Sequence, residues 1–157
     1  VNDDSDTRAE RDRRRALGRD LMDAENVDGL LVYGDTYFTG GAVAVTVLPR
    51  VGTPIALRDN PGAIPWADTR TGCNAYGIAS ALRELRLHRN PVGVIGLEPY
   101  PPDHDRALIP YSLWVRVLDL VPQSTFVPVW PGFARRLAER GHLTTDHSAR
   151  HTERKYR

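Results

Sequence analysis

A mixed-sheet α/β domain with helices on its faces is the fold class that this chain predicts. Three observations carry the prediction. A helical stretch runs through Gly29 directly into a strand, the order that opens an α/β layout. The runs Leu30-Leu31-Val32-Tyr33 and Val92-Gly93-Val94-Ile95 are uniformly apolar rather than alternating, as in strands buried on both faces. A second helix, Asn74 to Arg89, returns to the second of these runs.

Each element has a local reason. Arg8, Arg11, Arg13, Arg14, Arg15 and Arg19 interleave with six acidic residues, giving a solvated helix face without net charge. Leu17, Leu21 and Met22 supply the stripe that docks this helix on a sheet, and Asp28-Gly29 is its expected end. Ala42 to Leu48 is a strand rich in β-branched residues; after the turn Pro49-Arg50-Val51-Gly52, Pro54 to Arg58 pairs with it as a hairpin. Asp59-Asn60-Pro61-Gly62 is a loop, and Pro65 makes Ile64 to Thr69 an edge strand. In the helix Asn74 to Arg89, Ile78, Leu82 and Leu85 share one face, and Asn90-Pro91 stops it. Pro110 opens a helix carrying Tyr111, Trp114, Val117 and Leu118, and Pro122 closes it. Thr125 to Val129 is a last short strand, and Phe133 to Arg140 a final helical stretch. The expected organisation is a frayed segment over 1–11, a domain over 12–141, and a disordered polar tail over 142–157.

Composition bounds the function. Twenty-one basic against twenty acidic side chains leave a formal charge of +1, which predicts no nucleic-acid partner and no acidic membrane. The longest apolar run is too short to span a bilayer, and no secretory pattern opens the chain, so a cytoplasmic location is expected. One cysteine, Cys73, excludes an internal disulfide and a multi-thiolate metal site. No Walker loop, dinucleotide fingerprint, H-E-x-x-H or G-x-S-x-G is present. The single lysine, Lys155, lies in the tail, which disfavours kinases, NTPases and Schiff-base lyases.

Several residue sets carry possible chemistry beside a plain structural reading. Asp103-His104-Asp105 has ligand types for a hard or borderline cation, or is a solvated turn after Pro101-Pro102. His147 and His151 have zinc-pair spacing, with His142 nearby, but no apolar face fixes a helix there. Cys73 precedes a helix start, where a dipole lowers a thiol pKa; otherwise it is a small junction residue. Tyr37-Phe38 and Trp130-Pro131 are core lids or ligand stackers.

Taken in order, Arg19-Asp20-Leu21-Met22, Val27-Asp28-Gly29-Leu30-Leu31-Val32 and Tyr37-Phe38-Thr39-Gly40 resemble the N-terminal domain of the creatinase/prolidase/aminopeptidase P family of Xaa-Pro peptidases. Gly52-Thr53-Pro54, the strand Val92 to Glu98 and Leu118-Asp119-Leu120-Val121-Pro122 extend the resemblance over about residues 12 to 140. The resemblance implies a three-layer, ribonuclease-H-like fold with a mixed sheet of about five or six strands. It also implies a non-catalytic role in oligomerisation and in walling a substrate pocket. In that family the two divalent metal ions sit on Asp, Asp, His, Glu and Glu side chains of a larger C-terminal domain. None of those ligands has a counterpart here, and the usual entry into that domain is missing after Pro131. No catalytic residue, metal site or cofactor is therefore expected in this chain. The expected partners are a second copy or a catalytic domain, and Tyr37, Phe38, Thr39 and Gly40 are the expected pocket contacts. Two alternatives stay open: a small hydrolase or isomerase using Asp35, Thr39, Glu98 and His104, and a ligand-binding domain with a pocket near Tyr37 and Trp130.

Overall fold

The computed structural model describes residues 3–34, 44–59, 67–98 and 108–139. Its elements in chain order are α1 (Asp3–Glu25), β1 (Gly29–Gly34), β2 (Ala44–Pro49), β3 (Ile55–Arg58), β4 (Asp68–Thr71), α2 (Ala75–Glu84), β5 (Pro91–Ile95), α3 (Tyr111–Leu120), β6 (Thr125–Pro128) and α4 (Trp130–Glu139). The six strands form one mixed sheet in the order β4-β3-β2-β1-β5-β6. β1, β2 and β3 are antiparallel neighbours, while β4 runs parallel to β3, and β5 and β6 run parallel to β1. Helices cover both faces, so the three-layer α/β class expected from the buried runs is what the chain adopts.

Strand alternation divides the apolar residues between the two faces. Leu31, Tyr33, Val45, Val47, Ile55, Leu57, Val92 and Val94 point to one side and pack with Ile78 and Leu82 of α2 and Val117 of α3. Leu30 and Ile95 point to the other and pack with Leu21 and Met22 of α1 and with Val129. The docking stripe read from α1 thus meets the sheet. No described helix is long and apolar enough to cross a membrane.

Two helix ends differ from the sequence reading. α1 does not run to Gly29. Asn26 turns left-handed at φ 53°, and the Val27 N–H donates back to Met22 O at 3.0 Å, which closes the helix early and frees Gly29 to begin β1. Arg50, in the β2–β3 turn, completes this end. Its Nη2 donates to Val27 O at 2.7 Å, and its guanidinium pairs with Asp23 and lies 3.6 Å from Asp28. α2 starts as expected, with the Asn74 side chain accepting from Gly77 N–H at 3.0 Å. It stops at Glu84 rather than Arg89, because Arg86 is left-handed at φ 59° and the Leu87 N–H bonds Leu82 O at 2.7 Å. Leu87, now 3% exposed, enters the core.

The outer strands are fastened by side chains. Arg70 of β4 forks onto Glu84 of α2, with Nη1–Oε2 at 2.6 Å and Nη2–Oε1 at 2.8 Å, and also holds Asp68. The hydrogen bonds from Arg70 hold the Glu84 carboxyl below its ordinary range. At the opposite edge, Trp114 of α3 meets Phe126 of β6 edge-on, with ring centroids 4.9 Å apart.

Candidate functional site

The parallel strands β1, β5 and β6 end on the same side of the sheet, the side where open α/β sheets place their sites. Gly96 directs the chain there. At φ +121° it adopts a backbone that L residues avoid, and its carbonyl accepts from both Leu108 and Ile109 N–H at 3.0 Å. A Cβ on Gly96 would stand 3.0 Å from Tyr33 Cβ and 3.1 Å from Ile109 Cγ1, so the turn closes tightly around a missing side chain.

This turn places Glu98 at the start of α4. Glu98 Oε1 accepts the Trp130 N–H, at the first turn of the helix, at 3.2 Å. Glu25, from the last turn of α1, lies against Gly132 where a Cβ would otherwise be. Two carboxylates thus face the positive end of α4, the arrangement its dipole favours. The other Glu98 oxygen, Oε2, is buried without a hydrogen-bond partner among the described residues.

Glu98 and Trp130 belong to the wall of a cavity of about 400 Å³ beneath α1. Leu17 of α1, Leu30 and Tyr33 of β1, and Phe133 of α4 line it as well. Trp130 and Phe133 meet edge-on at 5.8 Å and stiffen the α4 side. The opening has a sequence cause at Gly18 of α1. An added Cβ there would find nothing closer than Leu30 Cδ1 and Leu48 Cδ2, both at 4.0 Å.

The candidate residues read from the sequence fare differently. Tyr37, Phe38, Thr39 and Gly40 lie outside the described residues, as do Asp35, His104, the Asp103-His104-Asp105 set and the three tail histidines. Of the four-residue hydrolase set, Glu98 alone is described, and of the ligand-pocket pair, Trp130 lines the cavity. Cys73 does not gain from the helix start. Burial, with a smaller contribution from Asp59, pushes its thiol up to about 11, away from a nucleophile's range. Among the described residues no three His, Cys, Asp or Glu side chains converge to hold a metal ion. Sequence reading missed the cap that Glu98 provides and the part of the cavity wall that α1 supplies. Gly18 within a helix was the available signal.

No protein-family model matches the chain, and no curated protein matches it. Among solved structures, it is similar to an Xaa-Pro dipeptidase from Bacillus anthracis, with a TM-score of 0.56 and 13% identity over 81% of this chain and 35% of that one. A prolidase from Thermococcus sibiricus gives a TM-score of 0.49 and 18% identity over 76% of this chain and 35% of that one. The chain spans about a third of the length of these structures. The first likeness shows a shared fold.

Proposed function

We propose that this chain acts as the non-catalytic, N-terminal type of domain of an Xaa-Pro-peptidase-like assembly, serving oligomerisation and helping to wall the substrate pocket of a metal-dependent catalytic domain. The observation that carries this reading is the shared fold. Four-fifths of the chain superposes on about a third of a dipeptidase, as one domain of a larger enzyme would. The surface of α3 supports it. That helix is rich in apolar residues, yet Val117 is its one fully buried side chain. Tyr111, 82% exposed, and Leu118, 40% exposed, lie seven positions apart on its outer face, with Val115 between them. Apolar side chains aligned on an exposed helix mark a protein contact rather than a solvated face. The partner is a second copy of the chain or a catalytic domain, and the expected setting is the cytoplasm. Tyr37, Phe38, Thr39 and Gly40 are the proposed pocket contacts.

Light scattering on the purified chain tests the assembly. The expected mass is twice the 17.5 kDa of one chain, and Leu118→Glu is expected to weaken the dimer by about tenfold or more, since it places a charge in an apolar contact. A monomer at every concentration overturns self-assembly. Incubation with an Xaa-Pro dipeptide and Mn²⁺ tests the rest: no turnover is expected, and metal-dependent hydrolysis overturns the non-catalytic reading.

A further inference from the structure

We infer that α3 pairs antiparallel with α3 of a second copy of this chain, about a two-fold axis that passes beside Val115. The inference rests on the assembly reading above and names which of its two partners covers this helix.

The stripe on α3 is symmetric about Val115. Residues four apart form a ridge on a helix, and Tyr111, Val115 and Asp119 are such a ridge. Leu118 and Ser112 flank it. Val115 is half-buried and the other four are exposed, so the ridge is open along its length. A two-fold axis at Val115 lays this ridge against itself. Tyr111 then meets the partner's Asp119, and Leu118 meets the partner's Ser112.

Charge favours the antiparallel arrangement and a second copy as the occupant. A helix dipole favours an acid at its start and a base at its end. α3 has neither: no acidic residue stands in its first turn, no basic residue in its last, and no side chain caps it at Pro110. Asp119 instead stands in the last turn, where the negative end of the dipole opposes it. Arg116, one turn earlier, reaches away to α2, where its Nη2 donates to the Tyr76 hydroxyl at 2.7 Å. Antiparallel pairing corrects both ends at once. Each Asp119 comes beside the first turn of the other α3, where helical N–H groups and the positive end of the dipole favour it. One helix thus carries both an end that lacks an acid and the acid that suits it, as a closed two-fold contact requires.

The test uses the whole chain with Cys73→Ala, so that an introduced thiol is the only one. Packed helix axes lie about 8–10 Å apart, which brings two Val115 Cα atoms at the axis to about 5 Å, within disulfide reach. Val115→Cys is therefore expected to form a covalent dimer under oxidised glutathione. Val51→Cys, at a position 88% exposed in the β2–β3 turn, is expected to stay a single chain. Asp119→Asn is expected to weaken dimerisation about fivefold in sedimentation equilibrium. Its monomer should still melt at or above the parent temperature, because the acid is gone from its own helix end. A dimer in which Val115→Cys does not cross-link, or that Asp119→Asn leaves at parental strength, overturns this inference and leaves the assembly reading standing. A parent chain that stays monomeric at every concentration overturns self-assembly and the pairing of α3 together.

Discussion

Under α2 and α3, seventeen buried side chains from four strands, these two helices and three flanking segments form a continuous cluster among the described residues. Under α1 and α4 the corresponding cluster has six, and half-buried Val32, Leu48, Trp130 and Phe133 border open space. One sheet therefore presents two different interiors. The first is packed to the density that fixes a fold, and every atom removed from it leaves a void. The second gives up contacts around Gly18 and borders a chamber. Dense packing and open space sit on opposite faces of the same strands.

The largest expected effect follows from this contrast. Leu82 of α2 is fully buried in the dense face, whereas Leu17 of α1 is half-buried on the cavity wall. Leu82→Ala should destabilise by about 3 kcal/mol, the transfer loss plus a new void. Leu17→Ala removes the same atoms where a void already exists, and should cost less than about 1 kcal/mol. Urea denaturation of both variants decides it. Equal losses would mean that the two faces are packed alike.

How much of this contrast the sequence could show depends on the kind of signal. The six-strand layout was readable because Leu30-Leu31-Val32-Tyr33 and the strand near Val94 are apolar on both faces, and burial on both faces needs helices above and below. Helix ends were less readable. Asn26 and Arg86 take left-handed backbones that their residue types do not announce, and Arg50 caps α1 from far along the chain. Of the cavity, the sequence offered Trp130, one of the two residues near which a pocket is expected, but not its extent. It arises where α1, β1 and α4 meet without filling the space, and that is a property of three elements' spacing rather than of any one stretch. Glu98 was visible only as part of a strand motif, because its cap on Trp130 joins residues thirty-two apart.

Two glycines in helices give the next effect, with opposite signs. In α2, a Cβ on Gly77 would fall on the Gly72 carbonyl, with Leu57 Cδ1 also near at 3.5 Å. Gly77→Ala should therefore destabilise by about 1–3 kcal/mol, since overpacking outweighs the gain in helix propensity. In α1, Gly18 faces open space, so Gly18→Ala keeps the propensity gain and should stabilise by about 0.5–1 kcal/mol. Thermal melts of the pair provide the measurement. A stabilising Gly77→Ala would show that the dense face has room to yield.

The smallest effect is a pH dependence at the Arg70–Glu84 pair. Glu84 of α2 is tied to Arg70 of β4, and the hydrogen bonds from Arg70 hold its carboxyl below the ordinary glutamate value, with the charge of Arg70 adding to the shift. A carboxyl depressed by folding contributes stability above its unfolded pKa, and that contribution is lost as pH falls through the folded value. Arg70 stays charged throughout, its own pKa raised by the same bonds. Glu84→Gln should accordingly lower stability slightly at neutral pH, and the difference from the parent should vanish as pH falls below the ordinary carboxyl range. The pair is exposed to solvent, so high salt should shrink the difference as well. A Glu84→Gln difference that stays constant as the carboxyl becomes fully protonated in acid would show that the fork on Arg70 contributes nothing through its charge.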